Sequence, residues 1–135
     1  MGQPAAKQGD QIVGTDTHVV MVPPPAPGPL VPTPLPHPFA GVVNGGLSND
    51  VKIMGRPAAV VGSTADNAPP HLPTPPGTAF QRPPGNKATI QMGSATVRIN
   101  GKPAARSGDT AMTCNDPADL PTGTVVAAPG TVTIG

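Results

Sequence analysis

The sequence of 135 residues contains no Glu, no Trp, no Tyr and only two Phe. Without Glu, every acid is an Asp, a residue that favours turns and caps over helix interiors; with 22 Pro as well, long helices are excluded. So few aromatics exclude a large interdigitated core. Ordering the chain costs roughly 1.5 kcal/mol per residue, so something besides apolar burial, such as a bound metal or a partner surface, must offset it. The single Cys excludes an internal disulfide. A formal net charge of +1 gives no pull toward nucleic acid or an anionic membrane. No apolar run approaches the roughly 18 residues of a transmembrane helix. The opening Met1-Gly2-Gln3-Pro4 lacks the basic and apolar regions of a secretory signal.

What the chain has in excess is proline and glycine, 22 and 17 residues. A share that high usually marks low complexity, but segments rich in Val, Ile, Met and Thr interrupt it. It also has a repeat. Pro4-Ala5-Ala6-Lys7-Gln8-Gly9-Asp10, Pro57-Ala58-Ala59-Val60-Val61-Gly62-Ser63 and Pro103-Ala104-Ala105-Arg106-Ser107-Gly108-Asp109 are copies of one phrase. His18 and His71 each stand 14 residues past the first Pro of their phrase, and Cys114 stands 11 past the third. Two histidines in equivalent register and a nearby cysteine point to a site built from repeat-equivalent loops.

Taken in order, the chain reads as all-β, a set of short hairpins joined by long loops. Ile12-Val13 leads to a turn at Gly14-Thr15-Asp16 and a strand over Val19–Val22. Residues 23–38 hold nine prolines, and each removes a donor, so this stretch is expected to be extended or turning and outside any ladder. Residues 69–84 form a second Pro-rich loop. Val51-Lys52-Ile53 alternates as a half-buried strand does. Ala88–Met92 and Ala95–Ile99 flank Gly93-Ser94 as a hairpin. Asn100-Gly101 turns tightly into the third phrase, and Gly55 similarly precedes the second. The tail from Thr124 reads as a last hairpin turning at Pro129-Gly130.

Three imidazoles and one thiol, His18, His37, His71 and Cys114, make a tetrahedral set that suits structural zinc. Their spacings match no common zinc finger. The residues also allow blander and sharper readings: three surface histidines with a small buried Cys; a Cys114–His nucleophile pair oriented by Asp16 or Asp116; an open catalytic zinc with an Asp base; and a Pro-rich module that docks into grooves. No oxyanion-hole signature accompanies the hydrolase readings, and Asp10 and Asp109, each following Gly, are expected to cap turns.

Pro103-Ala104-Ala105-Arg106, with its relatives Pro4-Ala5-Ala6-Lys7 and Pro57-Ala58-Ala59-Val60, resembles the PAAR-repeat family, the spike tips of bacterial contractile injection systems, both type VI secretion machines and phage-tail-like particles. The resemblance covers essentially the whole chain. It implies a small cone of short β-strands with three pseudo-repeats about its axis. It implies one structural metal near the point, usually zinc with iron possible, held by His18, His37, His71 and Cys114. It implies a monomer whose base sits on a trimeric VgrG-type spike, a role in penetration without enzymatic activity, and possible non-covalent cargo. The base is expected to carry Val51 and Ile53, Ile90 and Met92, and Val97 and Ile99. With nothing after Gly135 to read as a toxin, a single domain is expected. Its expected path runs from the bacterial cytoplasm to the particle tip and outward on firing.

Overall fold

The structure is a computed structural model whose described residues are 2–135; Met1, the first residue of the stretch read for a signal, lies outside them. Among the described residues every regular element is a strand. They are β1 (Gln3–Pro4), β2 (Gln11–Val22), β3 (Val31–Gly45), β4 (Lys52–Ile53), β5 (Arg56–Pro57), β6 (Thr64–Asn67), β7 (Ala79–Phe80), β8 (Lys87–Ile90), β9 (Arg98–Ile99), β10 (Lys102–Pro103), β11 (Thr110–Thr113), β12 (Leu120–Val126) and β13 (Thr133–Ile134).

The repeat phrase explains the architecture. Each copy pairs with the other two in a cycle: Ala5 with Arg106, Ala58 with Lys7, Ala104 with Val60. At the centre, Ala6 N–H donates to Ala105 C=O, Ala105 to Ala59, and Ala59 back to Ala6, each at 3.0 Å. All three of these alanines are fully buried. Only a methyl fits where three backbones converge, which is why the phrase carries Ala-Ala. Past the triangle each phrase turns through a glycine with φ of +93°, +98° or +94° at Gly9, Gly62 and Gly108, a backbone conformation that glycine adopts without strain. The turn is held by the next residue: Asp10 accepts from Lys7 N–H at 2.9 Å, Ser63 from Val60 at 2.9 Å and Asp109 from Arg106 at 2.8 Å. Asp10 and Asp109 are therefore turn-holding groups, as expected.

Each phrase feeds a pair of antiparallel strands. The neighbours β2, β3, β6, β8, β11 and β12 follow one another around the molecule, and β12 pairs back onto β2. The six strands thus close on themselves and leave no free edge at this level. Equivalent side chains fill the interior: Ile12, Ala65 and Ala111 from the first strand of each pair, Val43, Ile90 and Val125 from the second, all 1 % exposed or less. On the other side of the alanine triangle lie three two-stranded arms, β4–β5, β9–β10 and β13–β1. Their Ile53, Ile99 and Ile134 pack with Ala5, Ala58 and Ala104 into a second buried cluster. This cluster is the base; the six-stranded section, and above it the distal end of β2–β3, rise to the opposite end.

Local expectations fail in several places, each for a physical reason. The Pro-rich stretch 23–38 is laddered from Val31 onward, all along β2. The register sets Pro32, Pro34, Pro36 and Pro38 opposite Met21, Val19, Thr17 and Thr15. Thr17 and Val19 donate away from β3, to Asn115 and Asp116. The β2 groups that face β3 therefore lie opposite Thr33, Leu35 and His37, which keep their N–H. Prolines at every second position lose only the donors of the outer edge. The turn at Gly14-Thr15-Asp16 does not form: β2 runs straight through, and a Cβ at Gly14 would stand 2.5 Å from Thr122 C=O. β8 pairs with β6 and β11, not with 95–99, and the hairpin instead joins β9 to β10 across Asn100-Gly101. The tail hairpin is also absent: β12 joins the closed sheet, and β13 leaves it to pair with β1. Of the apolar sets assigned to the base, Ile53 and Ile99 lie there, Ile90 is in the upper core, and Val51 and Met92 are exposed.

Candidate metal centre

Above the upper core the long pair β2–β3 continues, joined near its tip by β7, and the loops after β6 and β11 fold against it. His18 comes from the distal half of β2, His37 from β3, His71 from the loop following β6 and Cys114 from the residue after β11. All four are buried. The ring centroids of the three histidines lie 4.9–5.6 Å apart. Both phenylalanines of the chain pack against them, Phe80 on His18 and His37 and Phe39 on His71. The sparse aromatic content is thus spent on walling this site.

Asp16, His18, His71 and Cys114 offer ligand atoms that all lie within 4.8 Å of one another. Cys114 Sγ stands 3.6 Å from His18 Nε2 and 3.3 Å from Asp16 Oδ2. Asp16 Oδ2 is 2.8 Å from His71 Nε2, and Thr113 Oγ1 donates to Oδ1. His37 is at the margin of this group. Its Nδ1 donates to Leu35 C=O at 2.9 Å, and its Nε2 accepts from Thr74 N–H at 3.1 Å. Ligation through His37 Nε2 requires Thr74 to yield.

These residues fit a metal ion. Two imidazole nitrogens, a sulfur and a carboxylate oxygen converge out of water, a costly arrangement for groups with no shared partner. His18 Nδ1 is buried without a hydrogen bond, and the nearest carboxylate oxygen, on Asp116, is 3.5 Å away. Burial pushes the Cys114 thiol up to about 11, and the adjacent Asp16 carboxylate adds to this. Burial likewise holds His18 and His37 below the usual imidazole value, so both are neutral donors near pH 7. A bound divalent cation would supply the positive charge that lets the thiol ionise.

The residues after Cys114 fix it in place, a role the sequence reading did not assign to them. Asn115 Oδ1 accepts from Thr17 N–H at 2.6 Å, and Asp116 Oδ2 from Val19 N–H at 2.9 Å. Asp116 also pairs with Arg82 at 2.7 Å. Burial works against ionisation of Asp116, but the Val19 N–H and Arg82 outweigh it and its pKa falls. Two Asx side chains thus satisfy β2 between the stretches covered by β12 and β7. The signal was an Asn-Asp-Pro run next to the sole Cys. Asp16 reads in the sequence as a turn residue and a possible orienter of a base, and its place in the cluster follows from β2 running straight through it.

A protein-family model described as PAAR motif matches residues 34–117, more than half of the chain. Among curated proteins no match is found.

Proposed function

From the chain's membership of the PAAR-motif family, we propose that it is the metal-braced point of a contractile injection spike, seated by its base on a trimeric VgrG-type protein. The family match supports a spike-tip role in such machines generally. The observation that carries the seating is the cyclic alanine triangle, in which one chain presents three equivalent arms around an axis. A trimer ends in three equivalent strand ends, and a single asymmetric domain cannot match them all at once. A pseudo-threefold monomer can.

The point itself is too thin for a hydrophobic core, and its loops are tied instead through the buried ligand cluster. Zinc suits two or three imidazoles with a thiolate, and a closed set of protein ligands acts as structure rather than as a reaction centre. The reading is non-catalytic: a thiol held protonated up to about 11 is a poor nucleophile at neutral pH. The base leaves the flanks free to carry cargo non-covalently. The Pro-rich-module reading loses ground, because the tract that would enter a groove is already a strand from Val31 onward. On this reading the protein assembles in the bacterial cytoplasm and leaves with the particle.

The test mixes purified protein with a trimeric VgrG-type spike from the same source and weighs the complex by native mass spectrometry. One chain and one zinc per trimer is the expected result. Three chains per trimer, or none, would overturn it.

A further inference from the structure

We infer that the base recognises an acidic rim on its trimeric partner, and that two of its three arms carry that recognition. The inference rests on the spike-tip reading above and adds the chemistry of the partner surface. The chain has eight Lys and Arg. Four lie away from the arms, and each has a carboxylate within reach: Lys7 with Asp10, Arg106 with Asp109, Arg82 with Asp116, Lys87 with Asp66. The other four are Lys52 and Arg56 on β4–β5 and Arg98 and Lys102 on β9–β10. All four are exposed, and none takes part in an ion pair among the described residues. Asp50, beside these arms, accepts from Asn100 Nδ2 at 2.8 Å.

Their placement follows the pseudo-symmetry. Register makes Arg56, Lys102 and Gln3 equivalent, and likewise Lys52, Arg98 and Thr133. The cations therefore occupy matching positions on two arms around one axis, with Arg56 Nη1 against the Gly9 turn and Lys102 Nζ beside the Gly62 turn, and the third arm has no charged side chain. Unpaired cations cost solubility nothing, but they gain little unless a partner supplies anions. At the far end of the molecule Arg82 is paired with Asp116, and from Thr17 to Asn49 the sequence contains no Lys, Arg, Asp or Glu. A random scatter of surface charge would not sort this way. A threefold array of carboxylates at the partner's end meets the two basic arms and leaves one of its three acidic positions facing Gln3. Nucleic acid fits less well, since the patch has no aromatic side chain and the net charge is only +1.

The experiment measures binding of the full-length, metal-loaded protein to the same-source trimeric spike and, in parallel, to a short DNA duplex. Affinity for the spike should weaken at least about fivefold between about 0.05 and about 0.5 M salt, as screening removes the charge contribution. The double variant Arg56→Glu/Lys102→Glu should lose about tenfold or more while keeping its metal content, and Gln3→Lys should tighten binding several-fold. Spike binding that ignores both salt and these variants overturns the acidic-rim inference and leaves the tip reading standing. Absence of spike binding under every condition overturns both. Equal or tighter binding to DNA, lost in the same double variant, reassigns the patch to nucleic acid.

Discussion

At the scale of single residues, the site is a contest between burial and charge. In metal-free protein, burial holds His18 and His37 below 6.5, so the unfolded chain binds more protons once the pH falls under that value. Stability should therefore drop as pH falls from 6.5 through the lower folded values. Asp116 adds a second loss further down: its stabilisation is complete above 3.8 and disappears as pH falls through its depressed folded value. At the other end, Cys114 ionises near 9.0 when unfolded and near 11 when folded, so stability falls again across that interval. Urea denaturation of chelator-treated protein should give a maximum between about 6.5 and 9; a flat profile from pH 5 to 7 would refute this account. Metal-loaded protein should lose its ion to chelator far more readily in acid, because imidazoles must be neutral to ligate. Replacing Cys114 with Ser, or His18 or His37 with Ala, should release the ion and cost several kcal/mol, on the order of 2–5. Asp16→Asn is the companion to His37→Ala. If His37→Ala keeps full metal content and melting temperature while Asp16→Asn loses both, the carboxylate completes the shell and His37 does not.

At the scale of elements, the repeat phrase was the most legible feature, and the long strands the least. Pro-Ala-Ala and the Gly after it announced three equivalent segments, with turns expected at Asp10 and Asp109, and the structure uses each position as its chemistry dictates: small residues at the triangle, glycine at positive φ, Asp or Ser closing the turn. The two hairpins at Gly55 and Asn100-Gly101 were likewise readable from turn chemistry. By contrast, β3 was hidden, because a count of prolines says nothing about their phase. Only the period of two, with His37 and Phe39 falling on the donating, buried set, separates a laddered edge strand from a loose linker. Strand partners were also illegible: Gly93-Ser94 looks like a hairpin tip, yet its flanks belong to different repeats, and pairing between repeats is a long-range choice. The ligand set was readable as residue types. Asp16 was not, since placing it needs β2 to run straight through Gly14. The triangle supports a direct test. Ala6→Val, Ala59→Val and Ala105→Val each force extra methyls against a neighbouring backbone and should each cost about 1–3 kcal/mol or more. Near-equal losses in thermal denaturation would support the cycle; one tolerant position would show that the three phrases are not packed equivalently.

At the scale of the whole molecule, the three arms are the same object made in two ways. In β4–β5 and β9–β10 a two-residue turn joins the strands, Met54-Gly55 with φ of +50° and +83° and Asn100-Gly101 with +53° and +80°. In the third arm β13 and β1 meet with no covalent link, yet Ile134 faces Gln3 as Ile53 faces Arg56 and Ile99 faces Lys102. The fold therefore depends on the cycle of contacts and not on which arm is open. Joining Gly135 directly to Gly2 closes a two-residue turn between Ile134 and Gln3, and opening the chain between Asn100 and Gly101 then exchanges one closed arm for another. The closure entropy lost at one turn is regained at the other, because both loops are short and of similar length. The permuted protein should keep its metal content and its β-rich circular dichroism, with a stability change within about 1 kcal/mol of zero. A permutant that binds metal but melts far below the parent would mean that the β9–β10 turn contributes more than its equivalent position implies. A permutant that fails to fold at all would mean that the three-arm cycle is not what holds the base together.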